Sequence, residues 1–333
     1  MYEPILPQMR PEEAQRQALR RNANFCGSMI LMMFGANVVI SVLLIALSSF
    51  GVLDLMAGDY GLGNTGYLML TMVLYLLFLP VPALITAANS RVRVHPFPLK
   101  KVGFGAAVCL LLAGMGLAIL SNLLSSYLMD FFTLIGIPYP EFPDTMELTA
   151  TSLVLNIVST AVLPALAEEL IFRGYIQGAL KPFGNGIAIV LSAFLFGIFH
   201  GNILQFPFAF FMGLVFGWLF TSTGSIWLCI LVHFGNNLMS VLLDWFAKAY
   251  PSAQEEQIIL VFAAVACAGI AAIGALLLRD KGGSGRLDVL RPIHNGTSFL
   301  TVARRVRIAL LSPAMLIAVL VLAVQLLFSM VAV

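Results

Sequence analysis

Nine apolar stretches, each close to the roughly 20 residues that an α-helix needs to cross a bilayer, constrain this chain more than any other feature. They fall near 27–50, 66–88, 103–128, 149–181, 184–201, 204–222, 225–247, 257–278 and 308–331. A soluble fold has no interior large enough for them. Of the 333 residues 60% are hydrophobic and only 10% are charged, against about 25% charged in a typical soluble domain. The expectation is an all-α, polytopic membrane helix bundle of about nine transmembrane helices, forming one membrane domain over 1–333. A cytosolic enzyme, a disordered chain and a basic nucleic-acid binder are excluded.

The basic residues orient such a bundle, because cytoplasmic loops collect Lys and Arg. With the N-terminus inside, sixteen of the 18 Lys and Arg fall on the inner side; Lys248 alone falls outside, and Arg173 lies within a stretch. The outer loops carry Asp54, Asp59, Asp130, Glu141, Asp144, Glu255 and Glu256. This split predicts a cytoplasmic N-terminus and a multi-pass protein of a bacterial cytoplasmic membrane. The first 25 residues are polar and charged, and the apolar run after them is too long for a signal-peptide core, so it should remain as an anchor. Cys26, Cys109, Cys229 and Cys267 form no CxxC pair and read as small buried hydrophobes. Gly282-Gly283-Ser284-Gly285 reads as a flexible linker, and Asn295-Gly296-Thr297 as a glycosylation sequon on the wrong side of the membrane.

One stretch is not plainly apolar. Residues 164–173 read Pro-Ala-Leu-Ala-Glu-Glu-Leu-Ile-Phe-Arg. Each charge at the centre of a membrane helix costs about 2.5–3.5 kcal/mol on insertion scales, so intramembrane ionisable groups point to function. Spacing sorts the three. Glu169 and Arg173 are four apart, share a helix face and read as a structural pair. Glu168 is turned about 100° away and has no partner on its own helix. His200 ends one apolar run, and His233 shares a face with Asn237 four residues on; Asn236 is turned away as a spare. A lone membrane histidine is as often a satisfied core group as a reactive one. His95 and His294 fall in basic loops and read as solvated.

Hairpin arithmetic connects these groups. Lys181-Pro182-Phe183-Gly184-Asn185-Gly186 is a turn signal. Glu168 lies sixteen residues before Gly184 and His200 sixteen after it, so an antiparallel hairpin delivers both to one depth. Pro164 removes a helix hydrogen bond and should kink the helix there. Gly213 and Gly217 form a GxxxG that reads as close helix packing.

A carboxylate, two imidazoles and an amide at one depth suit amide hydrolysis. Glu168 would take a proton from water, and His200 would hold that water or carry the proton to the leaving amine. His233 and Asn237 would donate to the oxyanion. Alternatively Glu168, His200 and His233 would ligate zinc, which would activate the water itself. The residues alone leave both open. A proton-coupled secondary transporter, with Glu168 and the histidines as a relay, should show two matching halves, and only one polar cluster exists. A catalytically silent membrane scaffold or immunity protein is the remaining alternative. Serine chemistry at Gly282–Gly285 is disfavoured by its hydrophilic loop, and no HExxH, GxGD or P-loop occurs.

Three elements in this order resemble the CPBP family, the CAAX-protease and bacteriocin-processing (ABI) intramembrane peptidases. They are the EExxxR of Glu168 to Arg173, the FxxxH of Phe196 to His200 and the HxxxN of His233 to Asn237. The resemblance covers 149–247 as a catalytic core. It leaves three helices over 1–148 before the core, and two over 248–333, with the basic loop 279–307, after it. It implies an intramembrane endopeptidase acting on a membrane-associated protein or peptide. Glu168 and His200 would activate water, His233 and Asn237 would stabilise the oxyanion, and Glu169, Arg173 and Phe196 would lend structural support. The family implies no obligatory cofactor, with zinc as the alternative; nucleic acid is not an expected partner, and no oligomeric state follows.

Overall fold

The computed structural model describes residues 10–136, 146–251, 254–281 and 298–329. Every expected apolar stretch is helical there. The elements are α1 (Pro11–Ser49), α2 (Gly63–Phe78), α3 (Pro80–Asn89), α4 (Phe104–Leu134), α5 (Ala150–Phe183), α6 (Asn185–Phe199), α7 (Phe206–Thr223), α8 (Ile226–Ala249), α9 (Gln254–Lys281), α10 (Val302–Leu310) and α11 (Pro313–Phe328). Among the described residues six helical segments are long and apolar enough to span a membrane, with α2 and α3 forming one of them; the pair α10 and α11, bent by 75°, raises this to seven. The count is below nine partly because α6 has 15 residues and an apolar stretch of α9, Val261–Ile273, is also short. Helix α6 is enclosed by its neighbours, with ten of its 15 residues buried, so contact with protein replaces contact with lipid along it. The chain is a multi-pass membrane protein. The Gly282–Gly285 linker, the 295–297 sequon and His294 lie outside the described residues.

Helix α1, at 39 residues, is about 58 Å long at 1.5 Å per residue. That is nearly twice the hydrocarbon thickness of about 30 Å, so its polar first turns project beyond the apolar slab. Those turns are tied to α10 by the Glu12–Arg304 ion pair, and Asn24 Oδ1 accepts from the first turn of α11 at Ala314 N, 3.0 Å away. The bend at Ser312 and Pro313 places the basic α10 across the end of the bundle. There buried Arg305 donates to the carbonyl of Phe183 in the α5–α6 turn.

Close approaches of small residues join the helices, as lipid offers no hydrophobic gain for helix association. A Cβ at Gly116 of α4 would lie 2.8 Å from the Gly269 backbone of α9. One at Gly213 of α7 would lie 2.8 Å from Ala193 Cα of α6, so the GxxxG packs α7 on α6 as its spacing predicts. Cys26 and Cys229 are buried, Cys109 is half-buried, and Cys267 is exposed on the outside of α9. A cysteine apolar enough for lipid needs no protein cover, so the expected burial fails at that position.

Helix α5 departs from a regular α-helix. Its segments Ile157–Val162 and Leu170–Gln177 are π-helical, flanking the α-helical Leu163–Glu169 that holds Pro164 and both glutamates. The expected disturbance at Pro164 is a widened turn just before it. Widened turns of this kind mark functional sites in many helices. Gly116→Val should lower the melting temperature of the detergent-purified protein by an overpacking cost of about 1–3 kcal/mol; an unchanged melt would contradict the α4–α9 contact.

Candidate active site

The two adjacent glutamates point into different surroundings. Glu169 has no exposed surface and lies 3.2 Å from Arg173 Nε, equally enclosed. Arg173 Nη2 reaches the carbonyl of Gly213 at 3.4 Å. Its guanidinium sits over the rings of Phe196 and Phe216, with centroids 4.5 and 4.9 Å away. Cation–π contact of a desolvated guanidinium contributes about 2 kcal/mol, which helps offset its burial. The helix face read from spacing thus forms a real pair, and Phe196 serves as its aromatic shelf.

Glu169 has a second partner. His233 Nδ1 stands 2.9 Å from its Oε1, an ion-pair distance if the ring is charged and a hydrogen bond in either state. The imidazole stacks on Phe216 at 5.1 Å and 14°. Glu169 therefore orients His233 as well as balancing Arg173. Sequence spacing could not reveal this, because 64 residues separate the two groups. The other ring nitrogen, Nε2, faces Glu168 Oε2 at 3.8 Å. That is too long for a hydrogen bond but within the span that a water or a reacting group can bridge.

Glu168 keeps 16% of its side chain exposed. Its Oε1 accepts from the hydroxyl of Tyr75 on α2 at 3.0 Å. Tyr75 was missed in the sequence; a hydroxyl within the apolar run of α2 is the one signal that could have singled it out. Glu168 and His200 together line a cavity of about 220 Å³, as the hairpin arithmetic requires. Phe78 and Phe199 form its sides, and Phe34, Asn37 and Gln325 come from α1 and α11. His200 Nδ1 lies 2.8 Å from the carbonyl of Phe196. A proton on Nδ1 satisfies that contact and leaves Nε2 free to accept.

Asn237 is placed differently from the sequence expectation. Its Nδ2 donates to the carbonyl of Thr160 at 2.9 Å. Thr160 lies four residues before Pro164, which has no N–H to return to that carbonyl, so Asn237 supplies the donor that proline lacks. Its Oδ1 accepts from Asn236 at 3.0 Å, and Asn236 accepts from Asn122 of α4 at 3.3 Å. Asn236, set aside as a spare, is the buried middle of this amide chain. Neither His233 nor Asn237 lines the cavity that holds Glu168 and His200.

The zinc alternative needs Glu168, His200 and His233 to converge on one point. Among the described residues no group of three His, Cys, Asp or Glu side chains stands out as a metal site, and His233 directs Nδ1 at Glu169.

Residues 150–239 match the family model for type II CAAX prenyl endopeptidases, Rce1-like. All of the groups above except Tyr75, Phe78, Asn122 and the α1 and α11 residues fall inside that match. Over that segment the chain is similar to the CAAX-protease and bacteriocin-processing intramembrane proteases. The chain is also similar to the Bacillus subtilis (strain 168) protein named "Putative membrane peptidase YdiL", with 28% identity over 146 residues. That alignment covers 44% of this chain and 59% of the relative, so the chain spans about three fifths of the length of the curated protein it matches. No solved structure matches significantly.

Two outcomes test the site's construction. Arg173→Met leaves Glu169 without its cation and should cost about 3–5 kcal/mol, the usual result of breaking a buried pair; a melting curve like wild type would contradict the pairing. Asn237→Ala should cost about 1 kcal/mol in the wild-type background and clearly less with Pro164→Ala, which restores the missing N–H. Equal costs in a double-mutant cycle would contradict the Thr160 link.

Proposed function

We propose that this protein is an intramembrane endopeptidase that cleaves a membrane-associated protein or peptide with a water activated by Glu168. The observation that carries the reading is the cavity shared by Glu168 and His200, with His233 Nε2 3.8 Å from the Glu168 carboxylate.

The Glu168 carboxylate takes one proton from a water in the cavity, and the water oxygen attacks the carbonyl carbon of the scissile amide. Tyr75 fixes one carboxylate oxygen by donating its O–H, which leaves the other to act as base. His233 is held by Glu169 through Nδ1 and turns its Nε2 edge toward the Glu168 carboxylate, where the oxyanion forms. Asn237 gives an amide hydrogen to Thr160 and so holds the helix carrying His233 against the helix carrying Glu168. The proton held by Glu168 passes through His200 to the amine nitrogen as the C–N bond breaks. A positioned general base or acid contributes typically 10²–10⁴-fold, and oxyanion donors about 10²–10³ each.

No metal is needed in this scheme. The excess of Lys and Arg on one side supports a cytoplasmic N-terminus, and a bacterial cytoplasmic membrane is the proposed residence. The detergent-purified protein, offered a library of membrane-proximal peptides, should cleave some of them, and Glu168→Ala should lose that cleavage by at least about 10²-fold. Cleavage that persists in Glu168→Ala would refute the assigned base. Cleavage that stops with a chelator and returns with zinc would refute the metal-free scheme.

A further inference from the structure

Helices α1 and α11 lie outside the segment matched to the family, yet both reach the cavity. They are pressed together at one end, where a Cβ on Gly27 would overlap the backbone of Ala314 and Met315. Seven residues further along α1, at Phe34, they part around an apolar slot of about 450 Å³. Phe34, Leu320, Val321, Val324, Gln325 and Phe328 line it. Leu320, Val324 and Phe328 are exposed on the outer surface of the bundle, so the slot opens toward lipid. Phe34 and Gln325 also line the cavity of Glu168 and His200, so slot and cavity adjoin at these two side chains.

Two neutral amides stand at the join. Gln325 is the one polar side chain in α11, and Asn37 sits amid the apolar part of α1. Both face the cavity, and neither side chain makes a hydrogen bond among the described residues. Gln325 lies against Gly201, the residue after His200, whose φ of 64° and crowded Cα face leave no place for a side chain. An amide offers two donors and an acceptor. An extended peptide, the only form that exposes a scissile carbonyl, brings into lipid N–H and C=O groups that each cost several kcal/mol if unpaired.

We propose that the slot between α1 and α11 admits an apolar peptide segment from the lipid, and that Gln325 and Asn37 are positioning residues that hold its extended backbone before Glu168. The substrate class is thus a peptide whose cleavage site adjoins a lipid-embedded apolar segment. This rests on the peptidase reading for its purpose, but the slot can be tested without cleavage.

The probe is a lysine-flanked leucine–alanine peptide carrying a photoreactive diazirine, added to the full-length Glu168→Gln protein in phosphatidylglycerol–phosphatidylcholine nanodiscs. Crosslinks should map to Leu320, Val324 and Phe328, and should vanish when the apolar segment is replaced by glycine and serine. Mapping instead to the apolar groove of Leu238, Leu242 and Phe246 between α8 and α9, or evenly over the lipid-facing surface, would overturn the entry route. On a peptide that the wild type cleaves, Gln325→Leu and Asn37→Leu should each raise KM about five-fold, the loss of one hydrogen bond, with kcat within two-fold and the melting temperature unchanged. Gln325→Asn should recover part of the loss. An unchanged KM, or a fall in kcat alone, would overturn the positioning role. Correct crosslinks without any cleavage would mean that the peptidase reading had failed and the slot had not.

Discussion

A glutamate and an arginine with no exposed surface, inside a bundle that sits in lipid, are the constraint from which the rest of this structure follows. Neither could be tolerated alone there. Glu169 and Arg173 meet one turn apart, the guanidinium rests on Phe196 and Phe216, and His233 closes the other side of the carboxylate. The cluster draws α5, α6, α7 and α8 to one point, because each contributes a group that the charges require. The cost of burying ions becomes a specification of how four helices meet.

That specification leaves Glu168 in a different position. The adjacent carboxylate is turned out of the cluster, retains access to a cavity, and is held by a hydroxyl from α2 rather than by a cation. One residue of offset on one helix separates a group that builds the bundle from a group that faces a cavity. The widened turns on either side of Leu163–Glu169 belong to the same arrangement. Pro164 strips the Thr160 carbonyl of its usual donor, and α8 answers with Asn237, which fixes the helix carrying His233 against the helix carrying Glu168.

Much of this was legible in the sequence, and for identifiable reasons. Apolar stretches of membrane length show directly in composition, so the helical class and the site's host helix follow. The Glu169–Arg173 pair and the common depth of Glu168 and His200 follow from counting residues along a helix and across a turn. What stayed hidden depends on neighbours far apart in the chain. The Glu169–His233 contact, the Tyr75 hydroxyl and the reach of Gln325 and Asn37 into the cavity are all set by how helices pack laterally, which no local spacing encodes. The assignment of Asn236 as a spare failed for the same reason, since the partner that buries it, Asn122, belongs to α4. The count of about nine spans is approximate: among the described residues six or seven segments reach membrane length, and α6 and the apolar stretch of α9 fall short of it.

The division of labour between the adjacent carboxylates is tested most directly by measuring thermal stability and turnover per folded molecule, in one preparation, for Glu168→Gln and Glu169→Gln. The account predicts that Glu168→Gln melts at or above the wild-type temperature and does not turn over. It predicts that Glu169→Gln melts lower and folds in poorer yield, while the folded fraction retains more turnover than Glu168→Gln. The reverse pattern, with Glu169→Gln stable but inactive and Glu168→Gln unstable but active, would contradict it.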